Sequence, residues 1–342
     1  MRAVVCRAWA DYAALPLEEI AAPAMRPGGV RIATHAAGVS FATTLITSGN
    51  HQTKPSFPFV PGTEVAGVVT ECAPGVTRVA VGDRVCAAPE WGGHAEEVVA
   101  LEHNVFAIPD SLPFATAVQF PLSYGTAYGA LAWRARTRPG ETVLVFGASG
   151  AVGLAAVEVA KALGATVIAC VGSAAKAAVA RQHGADHVLA GPAETLRDAI
   201  KEIAGSGGVD VVFDPVGGAA FDVALRAAGP LCRVIVIGFA SGQRPVAPAN
   251  ILLVKNIDVI GFYFGRYIWD GVVPRLPWDR QVADAFVSLF GWYEAGLLQP
   301  TASLRFPLAR YREAMQAVID RRGIGKVVLE MPVAARTSDG GT

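Results

Sequence analysis

A glycine turn between two apolar segments is the first place where residue types and spacing in this sequence suit chemistry. The turn reads ASGAVG from Ala148, which is the spacing of a dinucleotide-binding fingerprint with alanine at the first glycine position. Gly150 would let the backbone approach a pyrophosphate, and Gly153 would let a helix pack closely on the preceding strand. The N–H groups of the first helical turn, at Ala151 and Val152, would then bind the anion. These residues predict a dinucleotide site.

The residues after the next apolar segment distinguish NADPH from NADH. An NAD site needs a carboxylate about 20 residues beyond the glycines to accept the ribose 2′-hydroxyl. The next acidic residue here is Asp186, which follows a further predicted helix, whereas Gly172, Ser173 and Lys176 supply a small turn, a hydroxyl and a cation. These groups suit a 2′-phosphate, which a carboxylate would repel. We therefore predict NADPH; the alternative is that Lys176 is a solvated side chain of the next helix.

The elements that must position this site are alternating apolar strands and helices, which begin near residue 123. The strand-like segments are 143–146, 166–171, 187–189, 209–213, 232–237 and 257–262. The helix-like segments between them are 154–163, 174–183, 194–204 and 219–228. This alternation predicts an α/β fold with a doubly wound parallel Rossmann sheet. The carboxyl ends of the strands, with Phe239 and residues 262–264 just beyond two of them, should border the ligand crevice.

The first 122 residues have another pattern, rich in glycine and proline. Their short strand-like segments are 2–6, 30–37, 64–71, 84–87 and 95–99. This spacing predicts a mostly antiparallel, barrel-like domain. We expect residues 266–342 to complete that domain, which leaves 123–265 as the Rossmann domain. The small and polar segment 333–342 is expected to be disordered.

Composition bears on partners and compartment. The 342 residues include 29 Lys plus Arg and 29 Asp plus Glu, with no run of like charge. Nucleic acid and anionic membranes are therefore not expected as partners. The five cysteines are scattered and odd in number, which suits a reducing compartment. Because the first 20 residues lack the pattern of a secretion signal, we expect a cytosolic protein.

Several motifs together resemble the medium-chain dehydrogenase/reductase superfamily, and within it the zinc-free NADPH:quinone oxidoreductase, or zeta-crystallin-like, branch. Besides the glycine turn, the motifs are AGVSF (37–41), PGTEVAG (61–67), VGDRV (81–85), GTAY (125–128) and GKVVL (325–329). The resemblance covers nearly the whole chain. It implies a GroES-like β-barrel catalytic domain beside the Rossmann domain, NADPH as cofactor, and a homodimer that pairs edge strands. The apolar segments 232–237 and 257–262 are the candidates for that edge.

The zinc ligands of related alcohol dehydrogenases have no counterpart here. Ser40 stands at the position of a cysteine ligand and Thr63 at that of a histidine ligand. Hydroxyls are poor zinc ligands beside thiolate and imidazole. His183 and His187 have an i, i+4 spacing, but Gly184 interrupts the helix that would align them. We therefore predict no metal site.

The resemblance also implies residues for both ends of the cofactor. Those implied around the 2′-phosphate are Ser173, Lys176 and Arg321. Those implied near the nicotinamide are Thr126 and the backbone of Phe262 and Phe264. Lys326 of the GKVVL motif is assigned to the cofactor as well.

The leading functional hypothesis is hydride transfer from NADPH to a small electrophile, a quinone or an activated carbonyl, in a dry cleft. Ser40, His51 and Thr63 are the candidates for hydrogen bonds to the oxygen that gains charge. The alternatives are that Ser40 and Thr63 satisfy loop backbone groups and that His51 lies on the surface. A second hypothesis is an enoyl or acrylate-type alkene reductase. A third is a non-enzymatic NADPH-binding protein, as the lens crystallins of the family suggest.

Overall fold

Two large sheets organise the chain, and each belongs to its own unit. The structure, a computed structural model, describes residues 1–51, 53–270 and 274–332. The first unit consists of Met1–Val118, Leu304–Asp320 and the residues from Val327 onward. The second unit consists of Gln119–Ser303 and Arg321–Lys326. The segment 333–342, for which we expect disorder, lies outside the described residues.

Strands and helices occupy most of the described chain. The strands are β1 (Arg2–Val4), β2 (Leu17–Glu19), β3 (Gly29–Val39), β4 (Val65–Cys72), β5 (Arg84–Ala87), β6 (Glu97–Leu101), β7 (Val105–Ala107), β8 (Thr142–Val145), β9 (Thr166–Val171), β10 (His187–Ala190), β11 (Val209–Asp214), β12 (Ala228–Val236), β13 (Asp258–Gly261), β14 (Leu304–Pro307) and β15 (Val327–Glu330). The helices are α1 (Phe41–Thr47), α2 (Phe114–Ala117), α3 (Gly125–Tyr128), α4 (Ala151–Ala162), α5 (Ala174–Gln182), α6 (Arg197–Ala204), α7 (Ala219–Ala227), α8 (Ala249–Lys255), α9 (Gly265–Ile268), α10 (Asp279–Glu294) and α11 (Tyr311–Ile319). Two π-helical segments flank α3, at Phe120–Tyr124 and Gly129–Arg134.

The sheet of the second unit is parallel throughout its described strands. Their order is β10-β9-β8-β11-β12-β13. Leu144, Ile168 and Phe213 on three of these strands are fully buried, as expected where helices cover a parallel sheet. Between β8 and β11 the strand order reverses, and open parallel sheets bind ligands at such a point. The predicted doubly wound Rossmann sheet is confirmed.

The position of β12 corrects one expectation about the edge of this sheet. β12 lies between β11 and β13, so the prediction of 232–237 as an edge strand is wrong. Its apolar side chains, such as Val234 and Ile235, are fully buried because the strand is central. β13 is the strand at the end of the order, and its Val259 is 39% exposed.

The segment 266–303, which the sequence pattern assigns to the first domain, lies in the second unit instead. Aromatic packing explains the difference. The ring centroid of Phe290 on α10 lies 5.1 Å from that of Phe120, and Trp292 lies 5.6 Å from Tyr128 on α3. Aromatic pairs at such distances contribute beyond the area they bury. They hold α10 against the helical segment before the glycine turn.

The sheet of the first unit is mostly antiparallel, as predicted. Its strand order is β14-β15-β3-β4-β5-β7, and β6 also pairs with β3. Only β14 and β15 are parallel to each other among the pairs of this order. β15 pairs with β3, which returns the last described strand to the first unit. In the described part of the chain, no helix is both long enough and apolar enough to cross a bilayer.

Candidate active site

The glycine turn joins β8 to α4, as the motif predicts. Gly147, one residue before Ala148, has a φ of 60°, a left-handed conformation that favours glycine. A Cβ added to Gly153 would lie 2.2 Å from the carbonyl oxygen of Gly147. Only glycine therefore lets α4 begin so close to the turn. Ala151 is the first residue of this twelve-residue helix, so the unpaired N–H groups of its first turn lie where the motif places an anion.

A second segment packs on the glycine turn, which the turn motif by itself does not predict. The N–H of Gly325 donates to the carbonyl of Ser149 at 3.0 Å, and Gly325 forms a parallel bridge with Gly150. A Cβ on Gly325 would lie 2.0 Å from the carbonyl oxygen of Thr301. The N–H of Lys326 donates to that same oxygen, and the Lys326 side chain is buried. Residues 325 and 326 thus shape the turn through their backbone.

The residues expected around the 2′-phosphate come together at the carboxyl end of β9. Nζ of Lys176 donates to the carbonyl of Arg321 at 2.7 Å, although 145 residues separate them. The Arg321 guanidinium donates to the carbonyl of Ala240 at 2.9 Å. Ser173 precedes α5, and its side chain does not cap that helix. Two cations and a hydroxyl are therefore held close to the strand end that follows the glycine turn.

Two further residues that are expected to bind the cofactor near this strand end are exposed. Gly172 follows β9 with open space around it, so a Cβ there would meet nothing within 4 Å. Phe239 is 45% exposed on the loop that also carries Ala240. This loop follows β12, and the Arg321 contact with Ala240 links it to the residues expected around the 2′-phosphate. Both residues therefore lie just beyond the carboxyl ends of their strands, at the border of the predicted crevice.

The residues implied near the nicotinamide pack on α3. A Cβ on Gly125 would lie 2.6 Å from the ring of Phe264, so glycine permits this contact. Phe264 and Phe262 are buried, and their rings pack with each other and with Tyr267. Thr126 is half-buried. The phenylalanine rings are thus used for packing, the N–H of Phe262 donates to the carbonyl of Val236, and the carbonyl of Phe264 accepts the N–H of Tyr267.

A buried carboxylate links these parts of the second unit, and sequence reasoning missed it. Glu158 on α4 is 1% exposed. Its Oε2 accepts the Tyr124 hydroxyl at 2.6 Å, and its Oε1 accepts Nδ1–H of His183 at 2.5 Å and the N–H of Gln299 at 2.9 Å. Nε2 of His183 lies 3.2 Å from Oγ1 of Thr301. The signal was a single carboxylate within the apolar stretch 151–160 of this helix, since a buried charge requires partners.

In the first unit, strand pairing brings Ser40 and Thr63 to the same end of the sheet. Ala37 pairs with Val65, and the N–H of Gly38 donates to the carbonyl of Glu64 at 3.1 Å. Ser40 precedes α1 without capping it, and its Oγ lies 3.4 Å from Oγ1 of Thr43. The Ser40 hydroxyl is therefore not used as a helix cap.

His51 lies just past the carboxyl-terminal end of α1, where its N–H donates to the carbonyl of Leu45 at 3.0 Å. Its Nδ1 accepts the N–H of Thr53 at 3.1 Å. The imidazole is half-buried, and this burial lowers its pKa, against a smaller opposing effect of the Thr53 backbone. Nδ1 also lies 3.3 Å from the carbonyl oxygen of Thr53, and burial favours the neutral imidazole. The structure does not join His51 and Ser40 through a hydrogen bond.

Two family models match the chain. An alcohol dehydrogenase GroES-like domain covers residues 26–111, and a zinc-binding dehydrogenase domain covers residues 151–277. The chain is 39% identical to quinone oxidoreductase-like protein 2 of Bos taurus, over 93% of this chain and 89% of that protein. It belongs to the quinone oxidoreductase branch of the medium-chain dehydrogenase/reductase superfamily.

Solved structures of this branch share the fold. Quinone oxidoreductase of Thermus thermophilus, also solved as its complex with NADPH, has a TM-score of 0.82 and 32% identity, over 96% of this chain and 100% of that one. Quinone oxidoreductase of Escherichia coli complexed with NADPH has a TM-score of 0.86 and 26% identity, with the same coverage of both chains. As a member of this branch, the chain is an oxidoreductase.

His94 is a further residue that supports the motif PGTEVAG of the branch, and sequence reasoning missed it. It is fully buried, and its Nε2 lies 3.1 Å from the carbonyl oxygen of Gly38. Because a carbonyl only accepts, Nε2 carries the proton and Nδ1 accepts the Tyr12 hydroxyl at 2.7 Å. A Cβ on Gly62, which has a φ of 96°, would lie 2.4 Å from the His94 ring. His94 thus holds the loop that precedes β4.

Asp214 shapes the turn at the end of β11, close to the switch point of the parallel sheet. Its Oδ1 accepts the N–H groups of Val216 and Gly217, at 2.8 and 2.9 Å. Burial raises the pKa of this carboxyl, and the two backbone donors oppose that effect.

Among the described residues, no group of three or more His, Cys, Asp or Glu side chains is placed to hold a metal ion.

Proposed function

We propose that this chain is a zinc-independent, NADPH-dependent oxidoreductase that transfers hydride to a quinone or an activated carbonyl. The observation that carries the proposal is the meeting of Lys176 with Arg321 beside Ser173, at the carboxyl end of β9. Residues 172–176 contain no carboxylate. Cations and a hydroxyl suit a 2′-phosphate, whereas a 2′-hydroxyl is bound by a carboxylate.

The glycine turn fits the pyrophosphate of such a cofactor. A Cβ on Gly150 would come no closer than 3.5 Å to Gly147, so this position is open toward a ligand. Gly153 keeps the first turn of α4 at the end of β8, where N–H groups and the helix dipole favour an anion. Gly325 supports the turn from its other side.

When bound, NADPH supplies a hydride from its nicotinamide. The residues of the second unit bind and orient this cofactor. Lys176 and Arg321 do so at one end of the site, and Gly125 with the Phe264 backbone at the other. A well-oriented pair of reacting atoms, about 3 to 3.5 Å apart, removes much of the entropic part of the barrier.

The acceptor oxygen gains charge during reduction, and residues of the first unit are assigned to stabilise it. Ser40 retains a hydroxyl that does not cap α1, and Thr63 reaches the same end of the sheet. Hydroxyl donors placed where charge develops lower the barrier. His51 is assigned as a neutral donor through Nε2–H, since the backbone of Thr53 contacts the other ring nitrogen, Nδ1.

Zinc independence rests on the residue types at the positions of the ligands. Ser40 and Thr63 replace the thiolate and imidazole that zinc requires. We expect elemental analysis of the purified protein to find no stoichiometric zinc, and we expect chelators to leave its activity unchanged. Stoichiometric zinc together with activity lost to a chelator would exclude this part of the proposal.

Substrate turnover tests the proposal as a whole. Purified protein is assayed for NADPH oxidation with quinones, activated carbonyls, enones and enoyl thioesters. We expect turnover with quinones or activated carbonyls. Turnover confined to enones or enoyl thioesters would instead identify the enoyl or acrylate-type reductase. NADPH binding without turnover of any acceptor would identify a non-enzymatic, crystallin-like binding protein.

We further propose a cytosolic homodimer that pairs through β13. This strand lies at the end of the parallel sheet, with Val259 exposed, and an uncovered apolar edge is prone to association. Light scattering at micromolar concentration is expected to give twice the chain mass. A monomer mass would exclude the dimer.

A further inference from the structure

A cavity of about 410 Å³ lies in the second unit, and arginines dominate its lining. The charged lining residues are Arg134, Arg136, Arg138, Arg233 and Asp258. Four guanidinium groups therefore share this space with one carboxylate. Its volume is in the range of pockets that bind small molecules.

The cavity is separate from the glycine turn. Arg233 pairs in register with Asp258 on one side and with Val211 on the other. Val211 in turn pairs with Val143, the second residue of β8. Arg233 and Asp258 thus lie in register with the first half of β8, whereas the glycine turn follows the carboxyl end of β8.

Arg233 anchors the wall of the cavity. Its Nη1 donates to the carbonyl of Ala135 at 2.7 Å, and its Nη2 donates to Oε1 of Glu141 at 2.7 Å. The side chains of Arg233 and Glu141 are 18% and 20% exposed. A mostly buried ion pair therefore holds Arg233 where it also binds the backbone of the segment 134–138.

The side chains of the other three arginines are exposed to solvent. Arg134 donates to the carbonyl of Gly261 at 3.4 Å. Within residues 1–51, 53–270 and 274–332, none of Arg134, Arg136 and Arg138 forms an ion pair with a carboxylate. Arg136 also has a φ of 51°, a strained conformation for a residue other than glycine. Strain and like charge are thus combined at one exposed site, where solvent screens part of the repulsion and a bound anion would relieve the remainder.

We propose that this cavity binds a small anion that carries at least two phosphate or carboxylate groups. Arginine suits both groups, because its planar fork donates two parallel hydrogen bonds to either. A compact polyanion engages Arg134, Arg136 and Arg138 together, while Arg233 keeps its bond to Glu141. The site is independent of the cofactor and of the acceptor.

Calorimetry on the cofactor-saturated protein tests the site. Excess NADPH fills the site at the glycine turn, and inorganic pyrophosphate or citrate is then titrated at low ionic strength. We expect one further anion per chain, bound more weakly as salt is added. If only pyrophosphate binds, the ligand carries phosphate groups. If only citrate binds, it carries carboxylate groups. If both bind, the site recognises either group.

Two variants and a control locate the binding. The double variant Arg136→Gly and Arg138→Gln removes two charge-assisted contacts, so its affinity is expected to fall roughly 100-fold. Arg136→Gly also removes the strain of the positive φ, so the thermal stability of the free protein should not fall. Arg134→Gln with Arg138→Gln is a second variant that leaves residue 136 unchanged. The control is Arg197→Gln on α6, where the arginine pairs with the adjacent Asp198.

The outcomes separate a built site from general attraction to charge. Loss of binding in both arginine variants, with full binding in the Arg197→Gln control, supports the proposal. Unchanged affinity in the arginine variants, or an equal loss in the control, overturns it. No heat from either anion up to millimolar concentration overturns it as well, since several arginines around one polyanion should bind more tightly than that.

Discussion

Nδ1 of His183 donates to Oε1 of Glu158 at 2.5 Å, although 25 residues lie between them in the chain. The same carboxylate accepts the Tyr124 hydroxyl and the N–H of Gln299. Tyr124 precedes Gly125, and Nε2 of His183 contacts Thr301, whose carbonyl lies against Gly325. Glu158 therefore connects the helix of the glycine turn with both segments that border the cofactor site.

We expect Glu158→Ala to lower the free energy of unfolding by about 3–5 kcal/mol, because removing one partner leaves buried polar groups unpaired. Denaturant titration measures this loss. Glu202→Ala on α6 is the matched control, since Glu202 is exposed and a surface change there should stay within about 0.5 kcal/mol. Equal losses in the two variants would mean that the network contributes no specific stability.

Gly153→Ala should weaken NADPH binding and lower stability by about 1–3 kcal/mol, the usual range for overpacking. The added Cβ would lie 2.2 Å from the Gly147 carbonyl oxygen, which must then move. Gly291→Ala in α10 is the control, because a Cβ there would meet nothing within 4 Å. Helix propensity should make that change neutral or stabilising. Titration with NADPH and thermal unfolding of both variants test this pair. Tight NADPH binding by Gly153→Ala would argue against the glycine turn as the pyrophosphate site.

Lys176→Ala should raise the dissociation constant of NADPH roughly tenfold, the size of one charge-assisted hydrogen bond, and leave NADH binding nearly unchanged. Nζ of Lys176 lies beside Arg321, so the variant should lose a contact with the 2′-phosphate, a group that NADH lacks. Fluorescence titration with both cofactors measures the ratio. Lys201→Ala on α6 is an exposed control that should alter neither constant. Equal losses for NADPH and NADH would contradict the assignment.

His51→Phe should decrease kcat/KM by roughly 100-fold if Nε2–H donates to the acceptor. Burial lowers the pKa of His51, so the ring remains neutral at pH 7 and its titration should appear below the ordinary value of about 6.5. The pH profile of kcat/KM should lose that acidic transition in the variant. Full activity with an unchanged profile would leave Ser40 and Thr63 as the remaining donors.

The same residue makes a prediction about stability. Because the folded-state pKa of His51 is lowered, the unfolded chain takes up a proton first as the pH falls below about 6.5. The stability contributed by the neutral ring is therefore complete above that pH and is lost as the pH falls toward the folded-state value. His51→Phe should lose less stability between pH 7.5 and 5 than the unchanged protein. His35, whose pKa burial also lowers, supplies the same loss in both proteins. Thermal unfolding at the two pH values provides the comparison.

The local pattern of residues was sufficient to predict much of the fold and of the cofactor site. The alternation of strands and helices predicts the parallel sheet, because each buried strand is apolar by itself. The turn at Gly150 and Gly153 predicts its own geometry, since close approach of the backbone depends on residues a few positions apart. The choice of NADPH over NADH follows from the residue types after β9, and those are visible without any fold.

Long-range contacts decided the rest. Lys176 meets Arg321 across 145 residues, and Gly325 lies against Ser149, yet no local pattern marks either pair. β12 and β13 are similarly apolar in sequence, and only sheet order makes one central and the other an edge. Likewise, α10 joins the second unit through aromatic contacts with Phe120 and Tyr128. Short-range propensity determines which elements form, whereas their partners depend on burial and hydrogen bonding summed over the whole fold, and only the tertiary structure contains that sum.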